Sequence, residues 1–192
     1  MATMPVLWTD RLKLRPFTLS DGAIVRHLAG DRAVATATRG IPYPYPRGLA
    51  EQWIATHQLM YDQSLATTLA IVERSSGRVL GAVRLAIDDD TQTGRLGFWV
   101  GKPYWNRGFA TEALQAVLTY ALKTRQLHAV FAAHAAGNDA AARVLEKLGL
   151  QRERALPHAA RAWGRYDAEV YYSRSAALSP QPRAMATVGA GA

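Results

Sequence analysis

The residues between positions 101 and 113 combine types and a spacing that can hold a phosphate group. A short loop with small residues follows a predicted strand, and a helix begins at about Gly108. The free amide groups in the first turn of a helix point towards a bound anion, and the helix dipole adds to the attraction. Gly108 and Ala110 leave room for oxygens near the backbone, and Arg107 can donate a charge-assisted hydrogen bond.

A glycine before a helix is also an ordinary turn, and this alternative explains the same residues without a ligand. The segment matches neither the P-loop nor the glycine-rich fingerprint of dinucleotide-binding proteins. Glu112, in the first turn of the predicted helix, is expected to interact favourably with the helix dipole rather than to do chemistry. Taken alone, the pattern leaves a phosphate site and a plain turn both open.

The elements before this loop can be predicted from hydrophobic spacing and turn residues. Leu12 and Leu14 alternate with basic residues, which predicts a half-buried strand. A short helix is predicted to start at Ser20 and to end near Gly30. Prolines at every second position make residues 41–46 a stiff aromatic loop, and residues 48–61 are predicted to form a second helix.

The second half of the chain alternates strands and helices. We predict a hairpin of residues 67–74 and 78–87, strands at 95–100, 127–135, 150–156 and 166–174, and helices at 108–123 and 138–149. The strand–helix–strand unit in the middle requires at least one parallel pair. The order of elements predicts an α/β fold with a mixed, mostly antiparallel central sheet of about seven strands and helices on both faces.

Composition limits the classes of protein to which the chain can belong. Its 192 residues fit a single domain over residues 1–178, followed by a tail at 179–192 whose Pro, Ala and Gly content predicts disorder. The absence of cysteine excludes disulfides, thiolate metal sites and cysteine nucleophiles. No apolar run reaches the ~18 residues of a membrane helix, and the N-terminus lacks the apolar centre of a signal peptide. We therefore expect a cytoplasmic protein without a membrane partner.

The net charge of +8 comes from Lys and Arg residues that are scattered along the chain. A diffuse positive field favours phosphate-bearing ligands or acidic partners, but without a basic block it gives little support for binding to nucleic acid. His27, His57, His128 and His158 lack the spacing of metal ligands, and no metal is expected.

Three motifs, in the right order, resemble those of one family. The loop Trp105-Asn-Arg-Gly-Phe-Ala110 is similar to the pyrophosphate loop of the GNAT superfamily of N-acetyltransferases. The opening Thr9-Asp-Arg-Leu-Lys-Leu-Arg-Pro16 and the later Asn138-Asp-Ala-Ala-Ala-Arg-Val-Leu-Glu-Lys-Leu-Gly-Leu150 resemble the branch that acetylates the N-terminal amines of ribosomal proteins. The resemblance covers roughly residues 9–174.

The resemblance implies that acetyl-CoA is the acetyl donor and lies where two central parallel strands part. Its pantetheine arm would pair with the strand backbone, and its pyrophosphate would take amides of the loop. The residues implied to bind it are Phe98, Trp99, Val100, Trp105, Asn106, Arg107, Gly108, Phe109, Ala110, Thr111, Asn138 and Arg143.

The loop with Tyr43 and Tyr45 is expected to line the acceptor side of the site, and the alternative for both tyrosines is packing against the second helix. An N-cap role for Asn138 is compatible with a role in binding the cofactor. The resemblance does not identify the acceptor.

Attack of an amine on a thioester requires that the ammonium first lose a proton. Arg95, Ala141 and Leu145 stand where members of the resembling family often carry Glu, Ser and Tyr. His134 is the candidate base because its pKa range suits the task, and Tyr166 is a candidate acid or substrate contact. A structural role for His134, and packing for Tyr166, are the alternatives.

Three functions remain open at this point. The first is an enzyme that acetylates an amine, such as a protein N-terminus. The second is an enzyme with a small-molecule acceptor, such as a polyamine or an aminoglycoside. The third is a module that binds acetyl-CoA without turnover. The residues Arg95, Ala141 and Leu145, which replace the family's usual Glu, Ser and Tyr, favour this third function. The expected partner is the amine substrate, and the chain fits a monomer or a homodimer equally well.

Overall fold

The computed structural model describes residues 2–38, 40–153 and 169–176. The described strands form one eight-stranded sheet. Along the chain they are β1 (Leu7–Trp8), β2 (Leu12–Arg15), β3 (Ala66–Glu73), β4 (Val79–Asp88), β5 (Thr93–Val100), β6 (Ala129–Ala135), β7 (Gln151–Arg152) and β8 (Glu169–Ser175). Across the sheet the order is β1-β2-β3-β4-β5-β6-β8-β7.

One neighbouring pair in this sheet is parallel, and the other pairs are antiparallel. β5 and β6 run in parallel from Thr93 opposite Ala129 to Leu96 opposite Ala132. The segment between them is helical, which is the usual way to connect parallel neighbours. The structure therefore confirms the predicted mixed, mostly antiparallel α/β sheet with a parallel pair in its middle.

The helices of the described residues lie between the strands in three groups. They are α1 (Gly22–Ala29), α2 (Arg32–Ala37), α3 (Leu49–Ala55), α4 (His57–Asp62), α5 (Phe109–Thr119) and α6 (Asp139–Lys147). Single 3₁₀ turns precede α1 (Leu19–Asp21) and follow β5 (Lys102–Tyr104), and a π-helical turn (Tyr120–Thr124) extends α5.

Each face of the sheet carries its own hydrophobic core. On the α5–α6 face, Leu114 and Leu145 pack against strand residues that include Leu96. On the α1–α4 face, Val25 packs in a cluster with Trp99. Leu96 and Trp99 of β5 reach opposite faces because successive side chains of a strand alternate. Helices thus cover both faces, as the order of elements predicted.

Two helical regions of the structure differ from the prediction, and the causes are local. Residues 48–61 form two helices, because at Thr56 the backbone amide bonds to the Trp53 carbonyl, one residue short of the α-helical spacing. The prediction missed α2, which has six residues and is therefore too short to show a hydrophobic period. Its signal is Asp31, whose side chain caps the helix by accepting from the Ala33 amide at 2.7 Å.

A salt bridge fixes the start of α1 to the sheet. The Arg15 guanidinium donates to both carboxylate oxygens of Asp21, at 2.7 and 2.9 Å. The Thr18 amide donates to the same carboxylate at 2.8 Å. Burial by itself would raise the pKa of Asp21, but these hydrogen bonds outweigh it and leave the pKa below its ordinary value. Arg15, at the end of the opening motif, therefore has a structural role.

None of the described helices has the length and apolar character needed to cross a bilayer. The predicted tail at 179–192 lies outside the described residues, and so do residues 154–156 of the strand predicted at 150–156.

His57, the first residue of α4, is buried with only 4% of its surface exposed. Its ring packs edge-on against Trp53, with ring centres 4.4 Å apart. Within the part of the chain that the structure describes, neither ring nitrogen has a hydrogen-bond partner. Burial, together with the positive charge of Arg84, lowers the pKa of His57 from 6.5 to about 4. The folded protein therefore holds this imidazole neutral.

We expect His57 to make the protein less stable as the pH falls from 6.5 towards 4. In that window the unfolded histidine binds a proton and the folded one does not, so the unfolded state binds more protons and gains free energy relative to the folded state. Between pH 7.5 and pH 5 the loss is about 2 kcal/mol. In His57→Phe, urea unfolding at the two pH values should lack this loss, whereas the exposed control His27→Gln should retain it. An equal loss in His57→Phe would contradict the assignment.

Candidate active site

The cleft of the molecule begins where β5 and β6 stop pairing. Beyond Leu96 and Ala132 each strand follows its antiparallel neighbour, β4 for β5 and β8 for β6, and the two strands part. The cleft between and around them has a volume of about 760 Å³. Backbone groups on the facing edges of residues 97–100 and 133–135 are left without a strand partner. The Val100 carbonyl accepts from the Trp105 indole and the Ala135 carbonyl from the Asn138 amide, and the remaining groups are available to a ligand. The parting of two central parallel strands is as the resemblance implied.

The loop at one end of this cleft has the backbone conformation of an anion site. Gly108 precedes α5 with φ of +79°, and Asn106 has φ of +59°. The amides that open α5 have no acceptor within their own helix. An added Cβ at Gly108 would lie 3.3 Å from Arg11 Nη2, and a side chain there would be strained at that φ. The loop therefore requires glycine.

A carboxylate of α5 ties the opening motif of the chain to this loop. Glu112 accepts from Thr9 Oγ1 at 2.6 Å and from the Arg11 amide at 2.9 Å. The Arg11 guanidinium bonds to Glu112 at 2.7 Å and to the Arg107 carbonyl at 3.0 Å. Burial would raise the pKa of Glu112, but these donors keep it below its ordinary value. Glu112 is thus more than a favourable charge at the helix start, because it joins residues 9–11 to the loop.

The cofactor residues implied by the resemblance gather around the cleft, with one exception. All of them except Arg107 line it. Arg107 is exposed, and its guanidinium lies over the Phe109 ring, 5.0 Å from the ring centre. Trp105 lines the cleft and also donates from its indole nitrogen to the Val100 carbonyl, which holds the loop against the end of β5.

Asn138 connects two sides of the cleft. Its side-chain oxygen accepts from the Ala141 amide at 3.1 Å and so caps α6. Its side-chain nitrogen donates to the Ala37 carbonyl at the end of α2, at 3.0 Å. The N-cap role predicted for Asn138 is confirmed. The bond to Ala37 is a further, long-range role that local sequence does not reveal.

A second cavity of about 320 Å³ lies on the α1–α4 face and shares part of its lining with the cleft. Both are lined by Thr38, Arg84, Gly97, Phe98 and Trp99. Tyr45 and Trp53 form part of its aromatic wall. Tyr43 is 56% exposed and lies in neither lining, so the structure separates the two tyrosines that were expected together. Burial, and then the charge of Glu51, raise the pKa of Tyr45.

His134 lies on β6 at the edge of the cleft and is only 8% exposed. It follows Val130 and Ala132 on the α5–α6 face, where its ring lies 5.5 Å from that of Tyr172. Its Nδ1 is 2.8 Å from the Ala135 carbonyl. A carbonyl oxygen only accepts, so a hydrogen bond there requires the proton on Nδ1. In the neutral ring, Nε2 then carries a lone pair that can accept a hydrogen bond. Nε2 has no partner among the described residues.

The other residues considered for proton transfer lie in different places. Leu145 is fully buried in the core of the α5–α6 face, and Ala141 lines the cleft. Neither can donate a proton, because both side chains are hydrocarbon. Arg95 lines the cleft one residue before the last pair of β5 with β6. Tyr166 lies outside the described residues.

Several lining residues escaped the sequence analysis, namely Thr38, Trp53, Arg84 and Lys147. For Arg84 a signal was present, because it is the one basic residue inside the apolar strand β4. Thr38 and Trp53 gave none, since only the folding of α2 and α3 onto the sheet brings them to the site. The described residues contain no cluster of His, Cys, Asp and Glu that could hold a metal ion.

The site fits acetyl-CoA, because the cleft combines unpaired strand edges, a glycine that leaves room at a helix start, and the cations Arg143 and Lys147 of α6. Comparison with known proteins agrees with this. Residues 11–151 match the family model described as "Acetyltransferase (GNAT) domain". The uncharacterized N-acetyltransferase p20 of Bacillus licheniformis is 27% identical over 166 residues, which cover 84% of this chain and 91% of that protein.

Solved structures share the fold. RimL, a ribosomal L7/L12 α-N-protein acetyltransferase in complex with coenzyme A, aligns with a TM-score of 0.75 at 14% identity, over 89% of this chain and 98% of that one. The microcin C7 self-immunity acetyltransferase MccE, in complex with acetyl-CoA and AMP, aligns with a TM-score of 0.72 at 15% identity, over 87% and 93%. With its motifs, its cleft and the match of residues 11–151 in agreement, the chain belongs to the GNAT acetyltransferase family and is an N-acetyltransferase enzyme.

Proposed function

We propose that the protein transfers the acetyl group of acetyl-CoA to the N-terminal amine of a protein or peptide. The observation that carries this proposal is the pair of neighbouring cavities that share lining residues where β5 and β6 part. One cavity reaches the helix start at Gly108, and the other opens on the α1–α4 face. A donor and an acceptor can therefore enter from opposite sides and meet at the residues common to both.

The chain's own residues supply the binding of the donor, whose thioester provides an activated acetyl group. The amides that follow Gly108 and the cations of α6 face its phosphates, and the unpaired edge of β5 can pair with the amides of its pantetheine arm. In the transfer, the amine nitrogen bonds to the acetyl carbon and the carbon–sulfur bond breaks. A thiol has an ordinary pKa of about 8.5, so its thiolate can leave without an acid. Ala141 and Leu145 are compatible with this.

The size of the second cavity, which we assign to the acceptor, supports an amine at the end of a chain. Its volume of about 320 Å³ suits one or two residues rather than a folded surface. RimL, which shares the fold, acts on the N-terminus of a ribosomal protein. MccE shares the fold as well and has another function. A small-molecule amine is therefore the second candidate, supported by the same cavity volume.

Proton removal is assigned to His134 in this proposal. The lone pair on Nε2 suits a base, and the bond from Nδ1 to the Ala135 carbonyl would hold the ring in place. His134 is on the α5–α6 face and its Nε2 is buried, so this role requires the ring to gain access to the amine across the gap between the strands. The chain outside the described residues contributes Tyr166 as a candidate acid.

Release of free thiol should report turnover with N-terminal peptides, and binding of acetyl-CoA should raise the melting temperature.

We expect Gly108→Val to weaken acetyl-CoA binding more than tenfold, since a side chain would block phosphate contacts worth ~1.5–3 kcal/mol each. Gly77→Val is the matched control: Gly77 has φ of +68° with open space around it, in the turn between β3 and β4. Equal acetyl-CoA affinity in both variants would refute the phosphate loop. Tight binding without turnover of any amine would instead favour a module that only binds acetyl-CoA.

Tyr45 and Tyr43 form a matched pair for the acceptor cavity. We expect Tyr45→Ala to raise the acceptor KM severalfold and to leave acetyl-CoA affinity unchanged, because Tyr45 lines only the second cavity. Tyr43→Ala should alter neither value, since its side chain is exposed. Tyr45→Phe separates the ring from the hydroxyl. If peptide titrations gave the same acceptor KM for all three variants and the parent, the second cavity would not be the acceptor site.

The role of His134 can be tested by a pH profile. If Nε2 takes the proton, His134→Ala should lower kcat by about 10²-fold or more. The acidic limb of the parent's profile should disappear in the variant, because a protonated imidazole cannot accept a proton. A shifted acetyl-CoA KM with unchanged kcat would instead identify His134 as a cofactor contact. Persistence of both kcat and the acidic limb would show that water or the acceptor itself sets that limb.

A further inference from the structure

The helix α2 is too short to be stable by itself. Its six residues form fewer than two turns, and isolated helices of this length do not persist in water. Val34 is its one buried residue and packs in the hydrophobic core of the α1–α4 face. Asp31 caps the start of the helix. The end of α2 therefore depends on contacts with the rest of the protein to stay in place.

The end of α2 is bonded to a residue from the other half of the chain. The last carbonyl groups of a helix have no partner within that helix. The carbonyl of Ala37, the last residue of α2, accepts from the side-chain nitrogen of Asn138 at 3.0 Å. Asn138 follows β6 and opens α6, whereas Val34 of α2 belongs to the same core as Trp99 of β5. The bond therefore links structures on the two sides of the gap between β5 and β6.

This bond lies at the start of the acceptor wall, a name we use for Thr38, Ile41 and Tyr45. All three residues line the second cavity, and Thr38 lines the cleft as well. The chain leaves α2 at Thr38 in an extended conformation. Because Thr38 directly follows Ala37, any shift at the end of α2 moves Thr38 with it. The place of the acceptor wall beside the cleft therefore depends on where α2 ends.

A helix cap alone does not explain an asparagine at position 138. Asn, Asp and Ser cap helices about equally well, because each offers an oxygen to a free amide. The side-chain oxygen of Asn138 does this for the Ala141 amide, at 3.1 Å. The bond to Ala37 requires a donor as well, and the side-chain nitrogen of Asn138 supplies it. The two ends of this side-chain amide thus hold two helices, α6 through the oxygen and α2 through the nitrogen.

We propose that Asn138 is a positioning residue for the acceptor: through Ala37 it fixes the acceptor wall beside the cleft, without touching the acceptor itself. The inference rests on the proposed function and goes beyond it, because it gives a residue of the motif at 138–150 a role on the acceptor side. Binding to a wall that is already ordered costs less free energy than binding to one that must first be ordered. Loss of the bond should therefore weaken acceptor binding and leave the binding of acetyl-CoA unchanged.

Two substitutions remove the bond to Ala37 and keep the cap of α6. Asn138→Asp and Asn138→Ser both retain a capping oxygen, and both lose the amide nitrogen. Asp adds a negative charge and Ser does not, so an effect common to both variants is not caused by charge. We expect the KM for N-terminal peptides to rise about fivefold or more in both. The kcat and the affinity for acetyl-CoA should stay within about twofold of the parent values.

A matched control is available within α2. Thr36 is exposed, and its hydroxyl donates to the Arg32 carbonyl of the same helix at 2.8 Å. Thr36→Ala removes this local bond and leaves the bond between Asn138 and Ala37 in place, so it should not change the acceptor KM. A cofactor contact at Asn138 predicts a different result. Both Asn138 variants would then lose affinity for acetyl-CoA and keep the parent's acceptor KM, which would overturn the proposal.

Hydrogen exchange tests the anchoring of α2 without acetyl transfer, because faster exchange of amides reports local opening of a helix. We expect the amides of residues 35–38 to exchange about threefold faster or more in both Asn138 variants than in the parent. Equal exchange rates would overturn the proposal, and so would faster exchange with an unchanged acceptor KM. If neither the parent nor a variant acetylated any amine, the proposed function would fail. The exchange rates would still decide whether Asn138 holds α2, and calorimetric titration of a peptide into the CoA-saturated protein would replace the KM.

Discussion

The site depends on the loss of pairing between β5 and β6 beyond Leu96 and Ala132. An unpaired strand edge in the middle of a sheet is costly unless its amides and carbonyls find other partners. Each strand stays bonded to its outer neighbour, so the sheet remains intact while the gap opens. The gap therefore creates a place where a ligand with its own amides can complete the sheet. It also joins the two faces, so that donor and acceptor can meet at the centre.

The opening motif of the chain stabilises the loop beside this gap, although the two are far apart in the sequence. Thr9 and Arg11 bind Glu112 at the start of α5, and Arg11 also binds the loop carbonyl of Arg107. A loop that must keep its amides free for a ligand cannot hold its shape through those amides. Here side chains from another part of the chain hold it instead. Arg15 does the same for α1 through Asp21, so Thr9, Arg11 and Arg15 of the motif all fix helices to the sheet.

The basic side chains of the site are divided between the two faces of the sheet. The cations of α6 and the free amides of α5 lie on one face, and Arg84 and Arg95 project to the other. His57, buried beside Arg84 and neutral, shows how that positive field acts on its neighbours, since burial and the field together lower its pKa to about 4. The family resemblance concerns the donor side. The two arginines lie on the opposite face, and proteins that share this fold, such as RimL and MccE, differ in function.

The sequence by itself determined the kind of fold, the glycine turn before α5 and the cap of α6, because these follow from local rules. Alternating residues form strands, glycine adopts the positive φ at position 108, and asparagine caps the helix after it. Only the tertiary structure decided which of two neighbouring tyrosines lines a cavity, and that His134 shares a face with Tyr172 rather than with Arg84. It also brought Asn138 to Ala37. These contacts join segments far apart in the chain, and their geometry depends on how the sheet and helices pack, for which no local pattern exists.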